Sequence, residues 1–76
     1  MNKSAKEMFE ELGYECVMDD KTKVMYVIKE IPYCSFFIFW KNCKNISHKK
    51  MSDDTLYLQE LQAINKQVEE LGWNNE

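Results

Sequence analysis

The sequence has little of what usually announces a chemical site. It holds three cysteines, one histidine, one proline and two glycines in 76 residues. An odd number of cysteines argues against a disulfide framework. Cys16, Cys34 and Cys43 are therefore expected to be thiols, the first two as small core hydrophobes in apolar strands. Structural zinc asks for ligands paired at two to four residues. Cys43 and His48 have that separation, but Cys34 lies nine positions before Cys43 with nothing beside it, and Cys16 is farther away. No glycine-rich loop exists to build an oxyanion site around a cysteine–histidine pair. The longest nearly apolar run, Tyr33–Trp40, is far too short to cross a bilayer. The first seven residues hold no apolar stretch of the signal-peptide kind. The expected setting is thus the cytoplasm, with no membrane partner.

What is present is an ordinary globular balance, 45% hydrophobic and 30% charged, in one small domain spanning residues 1–76. Ser4 and Glu7 have the spacing of a capping box. Ala5, Met8, Phe9 and Leu12 follow on one helical face, and Gly13 is placed to stop the helix with Tyr14 packing back on Phe9. Three strands follow, the first around Tyr14–Met18, then Val24–Ile31 and Cys34–Trp40, with Pro32 ending the second. Ile46–Met51 is a candidate fourth strand. A second helix is expected to start within Ser52–Thr55, to bury Leu58, Leu61, Ile64, Val68 and Leu71, and to stop at Gly72 with Trp73 folding back on Val68. Both helices end in Glu-Glu-Leu-Gly-aromatic, the same cap chemistry used twice. The order α-β-β-β-(β)-α implies an α+β fold: a three- to four-stranded antiparallel sheet with the N- and C-terminal helices packed on one face.

Two segments resemble a known group. Ala5-Lys6-Glu7-Met8-Phe9-Glu10-Glu11-Leu12-Gly13-Tyr14-Glu15 is similar to the opening of small proteins encoded by phages and prophages of low-GC Gram-positive bacteria. Ala63-Ile64-Asn65-Lys66-Gln67-Val68-Glu69-Glu70-Leu71-Gly72-Trp73 is similar to their ending. Together they cover about a third of the chain. The resemblance implies a mobile-element origin and a cytosolic setting. It carries no activity and no functional residue.

Charge is unevenly spread. Residues 1–20 hold two lysines against six acids, residues 21–50 seven lysines against one, and residues 51–76 one lysine against six acids. The strands are basic and the helices acidic. Lys41, Lys44, Lys49 and Lys50, beside Trp40, are the candidate contacts to a phosphate backbone. The net charge of −3 speaks against it. The topology alone is similar to that of the double-stranded-RNA-binding domain, which does not carry function. That family carries a lysine cluster at the start of its second helix, where this chain has Asp53 and Asp54. Asp19 and Asp20 with Lys21 or Lys23 sit in one turn, where a metal-dependent nuclease needs carboxylates from separate strands. Turn chemistry explains them better. The chain is read as no enzyme and as needing no cofactor.

The apolar pattern of the strands is the stronger signal. An antiparallel sheet with one wet face should alternate apolar and polar residues. Here both parities are apolar. The expected arrangement turns Cys34, Phe36, Ile38 and Trp40 toward the helices and leaves Met25, Val27, Phe37, Phe39 and Tyr33 on the helix-free side, with Lys29 and Lys41 at the rim. Such a patch marks a protein interface. The sequence thus points first to a protein–protein interaction module, either self-associating as a homodimer or binding another protein. Nucleic-acid binding through residues 41–50 is the alternative. Glu10, Glu11, Glu69 and Glu70 lie at helix C-terminal ends, the wrong end for acids, and ask for a basic neighbour, either the domain's own lysine-rich strands or a partner.

Overall fold

Ser4 opens the first helix as its spacing to Glu7 predicts. The computed structural model describes residues 3–30, 33–50 and 56–73, and the side chains of all these but 29, 30, 33 and 34. In it the Ser4 hydroxyl accepts from the Glu7 N–H at 3.2 Å, and the Glu7 carboxylate accepts from the Ser4 N–H at 2.9 Å. The backbone N–H and hydroxyl of Ser4 together hold the Glu7 carboxyl below its usual range. Helix α1 spans Ala5–Glu11. Gly13, at φ 96°, turns the chain off it. The Gly13 N–H donates to the Glu10 carbonyl and the Tyr14 N–H to that of Phe9, at 3.0 and 2.9 Å. This is a Schellman closure. Helix α2, Leu58–Glu70, ends alike, with Gly72 at φ 73° and bonds from Gly72 to Glu69 and from Trp73 to Val68.

Between the helices lie β1 (Glu15–Asp19), β2 (Lys23–Glu30), β3 (Tyr33–Trp40) and β4 (Asn45–Lys49). They form one antiparallel sheet in the order β1-β2-β3-β4. The fold is α+β, α-β-β-β-β-α, with the fourth strand present at the edge. Ile31 and Pro32, expected to end the second strand, and Met51 lie outside the described residues. The β1–β2 turn is held by Asp20, whose carboxylate accepts from the Thr22 hydroxyl at 2.6 Å and from the N–H groups of Thr22 and Lys23 at 2.8 and 3.0 Å. These bonds, the Thr22 hydroxyl foremost, lower its pKa to about 2.

One core lies between the helices and one face of the sheet. Phe9 is its hub. Its ring stacks on Tyr26 at 4.1 Å between centroids and meets Tyr14, Phe37 and Phe39 at 5.7, 5.7 and 6.0 Å. Ala63 and Ile64 of α2 complete the same cluster, with Val68, Leu71 and Trp73 packed against it. The Trp73 ring reaches Phe39 at 6.3 Å.

Two sequence expectations for α2 are corrected. The helix begins at Leu58 after Tyr57, and Ser52–Thr55, where its start was expected, lies outside the described residues. Its buried stripe is also rotated. Leu58 and Leu61 are 65% and 45% exposed, while Glu60, Ala63, Ile64 and Gln67 are buried. The rotation brings two polar residues inward because Tyr14, just before β1, and Tyr26 of β2 present two phenols to the helix. Tyr14 donates to Glu60 at 3.2 Å, and Tyr26 donates to Gln67. Glu60 and Gln67 lie seven residues apart, two turns along one face. Burial pushes both phenols well above their ordinary pKa, aided at Tyr14 by the Glu60 charge.

Three of the four acids at the helix ends find partners within the domain. The Glu70 carboxylate accepts from the Ala5 N–H at 2.8 Å, so it caps the start of α1. Glu11 pairs with Lys3, and Glu69 with Lys66 at 3.3 Å.

Candidate functional site: the open face of the sheet

Register decides which side chains share a face. Tyr26 is opposite Phe37, and Val24 is opposite Phe39. Both pairs belong to the helix-covered core, and Phe37 and Phe39 are fully buried. Their expected place on the helix-free side is overturned. The parity of β2 was read correctly and that of β3 was inverted, because each face of β3 carries aromatic residues.

The opposite face is built in rows across the strands. Met18, Met25, Ile38 and Ser47 form one row, and Glu15, Val27, Phe36 and Lys49 the next. Lys23, Trp40 and Asn45 form a third. Met18 joins this face because β1 shifts register between Cys16 and Met18, leaving Val17 as an extra residue. Val27 is 5% exposed and stands outside the helix-side cluster. Met25, Phe36, Ile38 and Trp40 are half-buried, and Met18 is exposed. Neither helix contributes to this side.

Trp40 is fixed at one end of the face. Its indole N–H donates to the Ser47 hydroxyl at 3.0 Å, and the Lys23 ammonium sits 5.2 Å from the ring centre. Of the expected rim residues, Lys41 pairs with Asp19 at 3.2 Å, and the side chain of Lys29 lies outside the described residues.

The lysine segment is not a single surface. Lys50 turns inward to Glu60 at 2.7 Å, with both side chains less than a tenth exposed. Its ammonium also lies 4.6 Å from the centre of the Tyr57 ring. Lys41 is engaged by Asp19, and Lys49 stands on the open face with Glu15 at the far end of its row. Lys44 sits in the β3–β4 turn at φ 56°.

Glu60 and Lys50 border a cleft of about 330 Å³, lined also by Leu12, Tyr14, Ile28 and Ser35. Burial opposes the charge on Glu60. Bonds from Lys50 and the Tyr57 N–H, the lysine charge and the Tyr14 hydroxyl outweigh it and hold the carboxyl below its usual range. The Tyr14 hydroxyl and the Lys50 ammonium are both spent on the Glu60 carboxylate. Among the described residues no cluster of three or more His, Cys, Asp or Glu side chains is placed to hold a metal ion. His48 stacks beside Phe37, with ring centroids 6.0 Å apart, on the helix side of the edge strand. Cys16 packs against the core and Cys43 is exposed in a turn.

Sequence reasoning missed Phe36, Ile38, Trp40 and Met18 as open-face residues. The signal lay in the pairing of β2 with β3. With Val24, Tyr26 and Ile28 turned to the helices, their direct partners Phe39, Phe37 and Ser35 follow. No family model, curated protein or solved structure matches the chain. No helix among the described residues is long and apolar enough to cross a membrane.

Proposed function

We propose that the chain is a non-enzymatic protein-association module that works through the helix-free face of its sheet. The observation that supports this reading is the row Met18–Met25–Ile38, flanked by Phe36 and Trp40, on a face that neither helix covers. A sheet face meant for water alternates polar residues with the apolar ones of its other side. This one presents Met and aromatic side chains, the types enriched in interfaces. A cytoplasmic setting and a mobile-element origin, implied by the two helix-end segments, belong to the same proposal. Nucleic-acid binding is less well supported, since Lys50 is buried against Glu60 and Lys41 is held by Asp19.

Light scattering coupled to size exclusion, at two concentrations, tests the reading. The wild-type chain is expected to run above its 9.1 kDa monomer mass at the higher concentration. Ile38→Asp is expected to run as a monomer with an unchanged circular-dichroism spectrum. An associated Ile38→Asp protein would overturn the reading and move the interface elsewhere, first to the exposed Leu58 and Leu61 of α2.

A further inference from the structure

We propose that the occupant of the open face is a second copy of this chain, related by a two-fold axis lying between the sheets and roughly parallel to the strands. The inference rests on the association reading above and names the partner and its orientation. The argument comes from the row Glu15–Val27–Phe36–Lys49, which runs from β1 at one edge to β4 at the other. It is acidic at one end, apolar in the middle and basic at the other end.

Glu15 and Lys49 are exposed, and neither has an ion-pair partner among the described residues. They cannot reach each other within one sheet, because three strand spacings hold them about 14 Å apart. A two-fold axis along the strands, midway between β2 and β3, lays β1 of one copy over β4 of the other. Glu15 then faces Lys49 of the partner copy, and the symmetry repeats the pair at the opposite edge. Val27 falls over Phe36, and Met25 over Ile38. In the third row Lys23 falls over Trp40, the same cation–ring pairing that each copy already makes internally.

The other in-plane axis, perpendicular to the strands, is poorer. Wherever it is placed along the strands it lays β1 over β1 and β4 over β4, so Glu15 never meets Lys49 and each charge is covered without its opposite. Face-packed sheets turn by roughly 30° because each is twisted, which displaces the edge residues by about 4 Å, within reach of a lysine stem. Charge pairing of this kind selects one orientation from several that would bury the same apolar area.

A charge-exchange cycle tests the arrangement, with association measured by sedimentation equilibrium. Lys49→Glu and Glu15→Lys alone each place like charges together twice per dimer. Each is expected to weaken dimerisation by about tenfold. The double variant Glu15→Lys/Lys49→Glu is expected to return close to the wild-type constant. Circular dichroism confirms folding of each, since both positions are exposed. Should Ile38→Asp abolish the dimer while the double variant stays as weak as the singles, the two-fold geometry falls and the open-face reading stands. Should Leu61→Glu abolish it and Ile38→Asp leave it intact, the open-face reading falls as well. A wild-type monomer at every concentration overturns the second copy as occupant.

Discussion

Glu70, in the last turn of α2, accepts a hydrogen bond at 2.8 Å from the backbone N–H of Ala5, the first residue of α1. A carboxylate at the C-terminal end of its own helix is unfavourably placed, but here it meets the positive end of another. The two terminal helices are therefore joined by a cap that spans 65 positions of sequence.

Replacing Glu70 with Ala, which removes the acceptor, should cost about 1 kcal/mol, the usual worth of a cap, and lower the melting temperature by roughly 4–8 °C. Glu69→Ala is the control. Its partner is an exposed lysine three residues earlier, and its loss should cost less than about 0.5 kcal/mol. Equal effects in thermal melts would show that the Ala5 bond adds nothing.

Lys50 and Glu60 form an ion pair that is almost wholly removed from water. Removing one partner strands the other, at a cost of about 3–5 kcal/mol. Lys50→Met alone should thus be severely destabilising. Lys50→Met with Glu60→Leu should recover much of the loss, although the Tyr14 hydroxyl then needs water as its acceptor. Chemical denaturation of the two variants measures the difference.

The same pair sets an acid dependence. The Glu60 carboxyl is held below its usual value of 4.5 in the folded chain. Its contribution is therefore complete above that value and is lost as pH falls through the lower folded pKa. Glu7 and Asp20 act in the same direction. Stability measured between pH 7 and pH 2 should fall at the acid end. Relative to wild type, Glu60→Gln should be less stable at pH 7 and should lose less on acidification. Parallel curves for the two proteins would contradict the assignment.

Phe36 and Phe37 are neighbours in sequence with opposite fates. Phe37 lies in the core against Phe9 and Tyr14, whereas Phe36 stands on the open face. Phe37→Ala should cost about 3–5 kcal/mol, enough to unfold most of a domain this small. Phe36→Ala should leave the monomer folded and weaken association. The reverse ranking in denaturation would mean that the faces are exchanged.

Much of the fold was legible. The capping box, both glycine closures and the first three strands announced themselves through residue types that the local backbone requires, and β4 stood only as a candidate. Gly13 and Gly72 adopt positive φ, as their places after Leu12 and Leu71 demand. The faces of β3 were not legible from β3 alone, since Phe36, Ile38 and Trp40 are as apolar as Phe37 and Phe39. Only pairing with β2, where Lys29 shares parity with Met25 and Val27, separates them. The first half of the α2 stripe was misread for a different reason, while Ile64, Val68 and Leu71 do face the core as expected. Glu60 and Gln67 read as surface residues until the phenols of Tyr14 and Tyr26 are placed above them. A buried polar side chain is explained by its partner, and that partner lies 46 and 41 residues away. The candidate site was accordingly half visible, right in β2 and inverted in β3.

The two edges of the sheet bear on how copies can meet. An unpaired strand edge is a template on which further chains can add without limit. At β1 the extra Val17 breaks the even spacing of donors and acceptors between Cys16 and Met18. At the other border β4 is five residues long, exposed throughout, and carries Lys49. Both borders discourage open-ended growth by lateral strand addition. Stacking by face, in contrast, consumes its surface once and stops. A chain this rich in aromatic strand residues is thereby steered away from growth into fibres.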